Sequence, residues 1–167
     1  WEIGVILKNF VECKRPKQII ELGTFRGYST AWLILGTLIN SCGRVDSFDI
    51  KPEGFFGPLW YDFYELPKAR YSFHHIPGGL WTHSDPIPEI IALLFHDSSH
   101  ELDDTQKEMD ILLPRIPQGG TILFDDMMVA DYAPMQGYLH NLFMSMPNWK
   151  WSVLPIGMGL GIAERVR

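Results

Sequence analysis

What this sequence has little of narrows what it can be. It contains only two cysteines, Cys13 and Cys42. Neither sits in a C-x-x-C pair or at metal-ligand spacing, so neither a disulfide framework nor a zinc ribbon is expected, and a reducing cytoplasm is the default compartment. Basic residues are in the minority, with 14 Lys and Arg against 20 Asp and Glu and a net charge of −6. That balance argues against nucleic acid as a partner, which would call for a basic face. No apolar run approaches the ~20 residues that cross a bilayer, so no membrane association is expected. No basic segment followed by an apolar core opens the chain, as a signal peptide would. Internal repeats, low-complexity tracts and linkers are also missing. The chain opens on Trp1 rather than Met, which points to a segment preceding it.

What is present is the composition of an ordinary globular protein, 46% hydrophobic and 20% charged over 167 residues. That length suits one domain, 1–167, with a two- or three-layer core. Apolar residues at helical spacing (Ile3, Ile6, Leu7, Phe10, Val11) predict an amphipathic helix over 2–13, stopped by Pro16. A short strand is expected at 17–22, a largely buried helix at 28–40, and strands at 43–50 and 70–76. The continuous apolar run 90–97 has the pattern of a central parallel strand. A helix over 101–113 closed by Pro114, a strand at 119–126 and a helix at 133–146 follow, with Pro134 tolerated in the last helix's first turn. The segments 149–157 and 158–167 pattern as a hairpin around a tight Gly turn. Alternating strands and helices imply right-handed crossovers and an α/β fold, a mostly parallel open sheet with helices on both faces.

In such a sheet, ligands bind at the carboxyl ends of the strands. Four predicted strand ends carry acids: Glu21, Asp49, Asp97, and the pair Asp125–Asp126. No Lys or Arg at a nearby helix start offers itself to a phosphate. The stretch "IIELGTFRGYST" (19–30) joins the first strand to a helix through Gly23 and Gly27. With Thr24 and Phe25 after Gly23, the G-x-G-x-x-G dinucleotide fingerprint fails. Tyr28 after Gly27 rules out the phosphate loop, which requires Lys there. The remaining pattern is E-x-G-x-x-x-G, an acid beside a glycine turn, which suits a ligand with a positive group. Asp49, at the second strand's end, stands where a carboxylate accepts both hydroxyls of a ribose. A ribose with cationic groups and no phosphate describes S-adenosylmethionine. The plainer alternative for Gly23 and Gly27 is turn chemistry alone.

Taken together, "IIELGTFRGYSTAWL", "VDSFDI", "LLFHDSSHELDDTQKEMDILLPRIPQGGTILFDDM" and "GLGIAER" resemble class I S-adenosylmethionine-dependent methyltransferases. Within these the chain is most similar to the branch of macrocin-type sugar O-methyltransferases and cephalosporin-hydroxylase-like proteins. The resemblance covers almost the whole chain. It implies a Rossmann-like sheet of order 3-2-1-4-5-7-6 with strand 7 antiparallel. It also implies cofactor contacts at Glu21, Gly23, Thr24, Gly27, Ser29 and Asp49, with the turn Pro77–Gly78–Gly79 near the adenine. A divalent ion, usually Mg²⁺ in that branch, would be held by Asp97, Asp125 and Asp126.

Hard oxygen ligands on neighbouring strand ends suit Mg²⁺, which would orient an acceptor's hydroxyls and lower the pKa of the attacking one. The competing readings are a cap or turn residue for Asp126 and a buried hydrogen-bonded carboxylate for Asp125. The chain departs from the branch at Ser98 and Ser99, where relatives carry Gly and Asp. His100 is retained and titrates near neutrality, so with Asp97 it is the candidate catalytic residue; the alternative is a helix-start histidine that bonds the turn. His96 is expected to be structural, and His74 and His75 to be core or edge residues. The aromatic loop 51–64 is a candidate cofactor cover or acceptor pocket. Asp131, Tyr132 and Met135 stand where they could touch an acceptor.

The expected activity is O-methylation of a small hydroxylated acceptor, a sugar or polyol, by S-adenosylmethionine with Mg²⁺ assisting. The alternatives are a metal-independent methyltransferase of the same fold and a non-catalytic S-adenosylmethionine-binding accessory domain. A nicotinamide oxidoreductase lacks its fingerprint. Acceptor specificity is expected from residues preceding Trp1 or from a partner subunit, including a second copy of the chain.

Overall fold

The structure is a computed structural model that describes residues 2–52, 69–83 and 86–166. Helix α1 spans Glu2–Lys14 and is followed by strand β1, Gln18–Leu22, and helix α2, Tyr28–Ile39. Strands β2 (Arg44–Asp49), β3 (Tyr71–His75) and β4 (Leu93–His96) come next, then helix α3 (Leu102–Leu112) and strand β5 (Thr121–Phe124). Helix α4 (Ala133–Ser145) leads into the hairpin of β6 (Trp149–Leu154) and β7 (Leu160–Arg165). The seven strands form one sheet of order β3-β2-β1-β4-β5-β7-β6. Strands β1 to β5 pair in parallel, and β7 runs antiparallel to both β5 and β6. This is the expected order and the expected antiparallel strand.

Alternation along the strands divides the core into two layers. Ile19, Val45, Leu93, Phe95 and Leu123 face α1 and α2, where they meet Leu7, Val11, Leu33 and Ile34. Ile20, Leu22, Leu94, Ile122 and Phe124 point to the other face and pack on Met109 and Leu112 of α3 and Met135, Leu139 and Phe143 of α4. The same alternation decides where the polar residues go. Glu21, in register with Ile19, points toward α2, and His96, in register with Leu94, points toward α3.

Two expectations need adjusting. The run 90–97 is a strand only over Leu93–His96. Ile90 is 64% exposed, and the Ile91 N–H donates to the Arg115 carbonyl rather than to a neighbouring strand. Helix α2 is buried along one face only, since Leu35, Leu38 and Ile39 are exposed. Beyond residue 52, the aromatic loop expected to cover a cofactor lies outside the described residues.

Candidate active site

The parallel register brings the acidic strand ends to one edge of the sheet. The Asp97 N–H donates to the Leu22 carbonyl at 2.9 Å, and the Asp125 N–H to the His96 carbonyl at 3.1 Å. Backbone hydrogen bonds thus tie the segments after β1, β4 and β5 side by side. A cavity of about 610 Å³ opens there. It is lined by Gly23, Thr24, Phe25, Arg26, Tyr28 and Ser29 from the β1–α2 loop, and by Phe95, Asp97 and Asp125. Ile3 and Gly157 complete its rim with Glu2.

The β1–α2 loop is built around a buried carboxylate. Glu21 is 0% exposed. Its Oε1 accepts from Ser29 Oγ, and its Oε2 from Thr30 Oγ1 and Ser47 Oγ, each at 2.6 Å. Burial raises its pKa to about 7, and the three hydroxyl bonds only partly oppose that rise. Glu21 therefore sits beneath the loop, where it pins the start of α2, and is not among the residues that line the cavity. Thr24, also buried, bonds Ser47 Oγ. Gly27 adopts φ +77 and leads into α2.

Gly23 has φ +87, a backbone conformation that side chains resist. A Cβ added there would lie 1.8 Å from the Asp97 carbonyl oxygen. What approaches this glycine closely is therefore the protein's own β4 end. Asp49 also serves the loop, since its Oδ2 accepts the Phe25 N–H and its Oδ1 the Lys51 N–H, both at 2.8 Å. Gly27, Asp49 and Gly78 lie outside the cavity lining; Gly78 has φ +87 in the turn after β3.

The second half of the site is a cluster of three side chains. Single ligand-type atoms of Asp97, His100 and Asp126 all lie within 4.8 Å of one another. His100 Nε2 stands 3.6 Å from Asp97 Oδ1 and 3.6 Å from Asp126 Oδ2. Its ring stacks on Tyr132, with centroids 4.4 Å apart and planes 12° from parallel. Both His100 and Asp126 reach these positions through left-handed backbone, φ +60 and +59. Aspartate and histidine tolerate that region better than most residues, and such strain tends to gather at functional sites.

The grouping differs from the expected triad of Asp97, Asp125 and Asp126. Among the described residues, the cluster joins Asp97 and Asp126 to His100. Asp125 instead lines the cavity and accepts the Asp126 N–H on its Oδ1 at 2.9 Å. Electrostatics reflect the crowding. Burial pushes the Asp97 carboxyl up to about 8, and the neighbouring charges of Asp125, Asp126 and Glu21 add to the rise. Asp125 is raised as well, chiefly by burial. Burial lowers His100, with Asp126 opposing. Its Nε2 is buried and has no hydrogen-bond partner among the described residues.

Ser99 turns away from this cluster. Its Oγ donates to Asp104 Oδ2 at 3.0 Å and receives the Glu101 N–H at 3.4 Å, so it supports the start of α3. The expectation of a structural His96 matches its placement, 1% exposed with Nε2 2.8 Å from Glu108 Oε2. His74 bonds Asp46 at 2.9 Å and stacks on Phe48, while His75 lies exposed at the end of β3. Tyr28 and Phe95 in the lining, and Glu108 behind the turn, carried no functional reading in sequence. Glu108 did leave a signal, an acid on the stripe of α3 that buries Thr105, Met109 and Leu112.

The sheet order, strand directions and placement of helices are those of the class I methyltransferase fold. A family model described as a methyltransferase domain matches residues 20–127, a span that holds the β1–α2 loop, the Asp97–His100 turn and the acid pair. The chain belongs to this methyltransferase domain family, a class of enzymes. Solved structures agree in fold. A methyltransferase of Podospora anserina with S-adenosylhomocysteine bound is 16% identical with a TM-score of 0.78, over 98% of this chain and 78% of that one. An O-methyltransferase of Bacillus cereus in complex with S-adenosylhomocysteine is 20% identical with a TM-score of 0.73, over 96% and 79%. TomG of Streptomyces achromogenes, an O-methyltransferase of tomaymycin synthesis in complex with S-adenosylmethionine, is 18% identical with a TM-score of 0.68, over 98% and 79%. No curated protein matches the sequence.

Proposed function

We propose that the chain is an S-adenosylmethionine-dependent O-methyltransferase for a small hydroxylated acceptor, of sugar or polyol type, working with a divalent cation. The observation that carries this reading is the junction of two features. A cavity lined by Gly23, Thr24 and Ser29 opens directly onto Asp97 and Asp125, beside the cluster that holds His100. Its volume of about 610 Å³ lies in the usual range for small-molecule sites, about 300–1,000 Å³. Three solved neighbours in this fold carry S-adenosylmethionine or its demethylated product.

The residues suit a cation. Two carboxylates, Asp97 and Asp126, converge beside Asp125, and the Asp97 carboxyl is pushed up partly by that adjacent negative charge. Asp97 and Asp126 would hold the ion, with Asp125 next to it. When bound, the ion supplies positive charge that steadies an ionised acceptor hydroxyl.

The chain's own residues would do the rest. Gly23 to Arg26, with Tyr28 and Ser29, shape the cofactor side of the cavity, and Glu21 fixes that loop from below through Ser29 and Thr30. His100, kept neutral near pH 7 by burial, has a free nitrogen to accept the acceptor's proton. Asp126, 3.6 Å from Nε2, stabilises the imidazolium that results. Methyl transfer needs the acceptor oxygen in line with the sulfonium, so positioning supplies most of the rate.

Ser99 supports a second reading. It serves the start of α3 rather than the cluster, which is compatible with a domain that binds the cofactor without transferring its methyl group. A panel of sugars, polyols and catechols incubated with methyl-labelled S-adenosylmethionine separates the two. The proposal expects label on a hydroxyl of one acceptor class. Cofactor binding without transfer to any of them favours the accessory domain.

A further inference from the structure

The turn from Asp97 to His100 is fastened to α3 by its two serines, and the buried fastening differs in kind from the exposed one. Ser98 Oγ donates to Glu108 Oε2 at 2.9 Å. The same carboxylate oxygen lies 2.8 Å from His96 Nε2. Glu108 is 6% exposed and His96 is 1% exposed. A carboxylate withdrawn from water this far is costly unless its lone pairs are satisfied. Both partners that satisfy it come from the β4 end that carries Asp97. Helix α3 therefore spends a buried charge on holding this one turn.

The link continues along the turn. Asp97 lies between the two residues that Glu108 holds, and His100 follows two residues after Ser98 in the same turn. Its Nε2, without a hydrogen-bond partner among the described residues, stands 3.6 Å from both Asp97 and Asp126. Tyr132 stacks on the ring and closes one of its faces.

We propose that Glu108 is a positioning residue for this site: it holds His96 Nε2 and the Ser98 hydroxyl, one on each side of Asp97, and so fixes where the turn places Asp97 and His100 relative to Asp126. The use of that geometry in methyl transfer rests on the function proposed above; the link itself belongs to the fold. Ser98 is central, because its hydroxyl ties the chain just after Asp97 to α3. Glu108 never reaches the cavity, so its effect on the reaction passes wholly through the turn.

The full chain, free of ligand, allows a direct test by nitrogen–proton correlation NMR of the histidine rings, with His100→Gln used to assign the His100 signals. Ser98→Ala and Glu108→Ala are expected to shift the His100 ring resonances and leave those of His74, His75 and His83 in place. Ser98→Thr, which keeps the hydroxyl, is expected to return them close to the unmodified positions. In the double variant the His100 shift should be no larger than in Glu108→Ala alone, since both residues serve one link. Should Glu108→Ala fail to fold, the two Ser98 variants still decide the matter. Unmoved His100 resonances in Ser98→Ala overturn the proposal. An unmodified chain that binds no S-adenosylmethionine would instead remove the proposed function and leave the His100 shift to judge the link.

Discussion

The Asp97 carbonyl oxygen occupies the space next to Gly23 where any other residue would place its side chain, 1.8 Å from an added Cβ. The loop expected to cradle a cofactor and the turn expected to hold the reacting groups are thus in backbone contact, and neither can shift alone. Gly23→Ala has to move the β4 end as well as adopt φ +87. Its expected cost is at least about 3 kcal/mol, the sum of left-handed strain and a clash with main chain. Chemical denaturation measures this, and a variant within about 0.5 kcal/mol of the unmodified protein would refute the contact.

Stability should fall as pH rises through neutrality. Glu21 and Asp97 keep their protons in the folded chain up to about 7 and about 8, whereas their ordinary values are 4.5 and 3.8. Over that interval the folded state binds more protons than the unfolded one, so raising the pH favours unfolding. Asp125 acts in the same direction. His100, lowered from 6.5, acts in the opposite direction only where the unfolded histidine is protonated. Between pH 6.5 and 8 the carboxyls prevail, and the melting temperature should drop. Asp97→Asn should flatten that slope and melt higher than the unmodified chain at pH 8. A melting temperature that climbs across this window contradicts the account.

A divalent cation should offset that loss. Mn²⁺ or Mg²⁺ is expected to raise the melting temperature more at pH 8 than at pH 5, because the carboxyls must be ionised to bind it. The clustering of Asp97, Asp126 and His100 predicts that Asp126→Asn removes more of this gain than Asp125→Asn does. The reverse ranking would restore the arrangement expected from sequence.

His100→Gln should lower turnover on an identified acceptor by roughly 10²–10⁴-fold, the usual worth of a general base. Binding of S-adenosylmethionine should persist, since His100 does not line the cofactor side of the cavity. Turnover that survives at near-normal rate would assign the proton to another group.

Much of the fold could be read from the residues because local pattern and tertiary order agree. The near-continuous apolar runs of β1, β4 and β5 mark buried parallel strands, and Pro16 and Pro134 fall where helices end and begin. The run at 90–97 predicts a longer strand than forms, because hydrophobicity does not reveal which N–H groups find a strand partner; that of Ile91 finds Arg115 instead. The acids at the strand ends were legible for the same reason as the strands. Their grouping was not, because it depends on left-handed backbone at His100 and Asp126, which no spacing rule anticipates. Glu21 read naturally as a partner for a cationic ligand. The three hydroxyls that occupy it come from Ser29, Thr30 and Ser47, on two other elements, and only folding brings them together.

The central claim is that the cavity beside Gly23 and Asp97 takes S-adenosylmethionine. Titration calorimetry of the full chain with S-adenosylmethionine, with and without Mg²⁺, tests it most directly. Saturable one-to-one binding is predicted, competed by S-adenosylhomocysteine and weakened in Gly23→Ala. Absence of binding under both conditions, in protein that melts cooperatively, would contradict the claim.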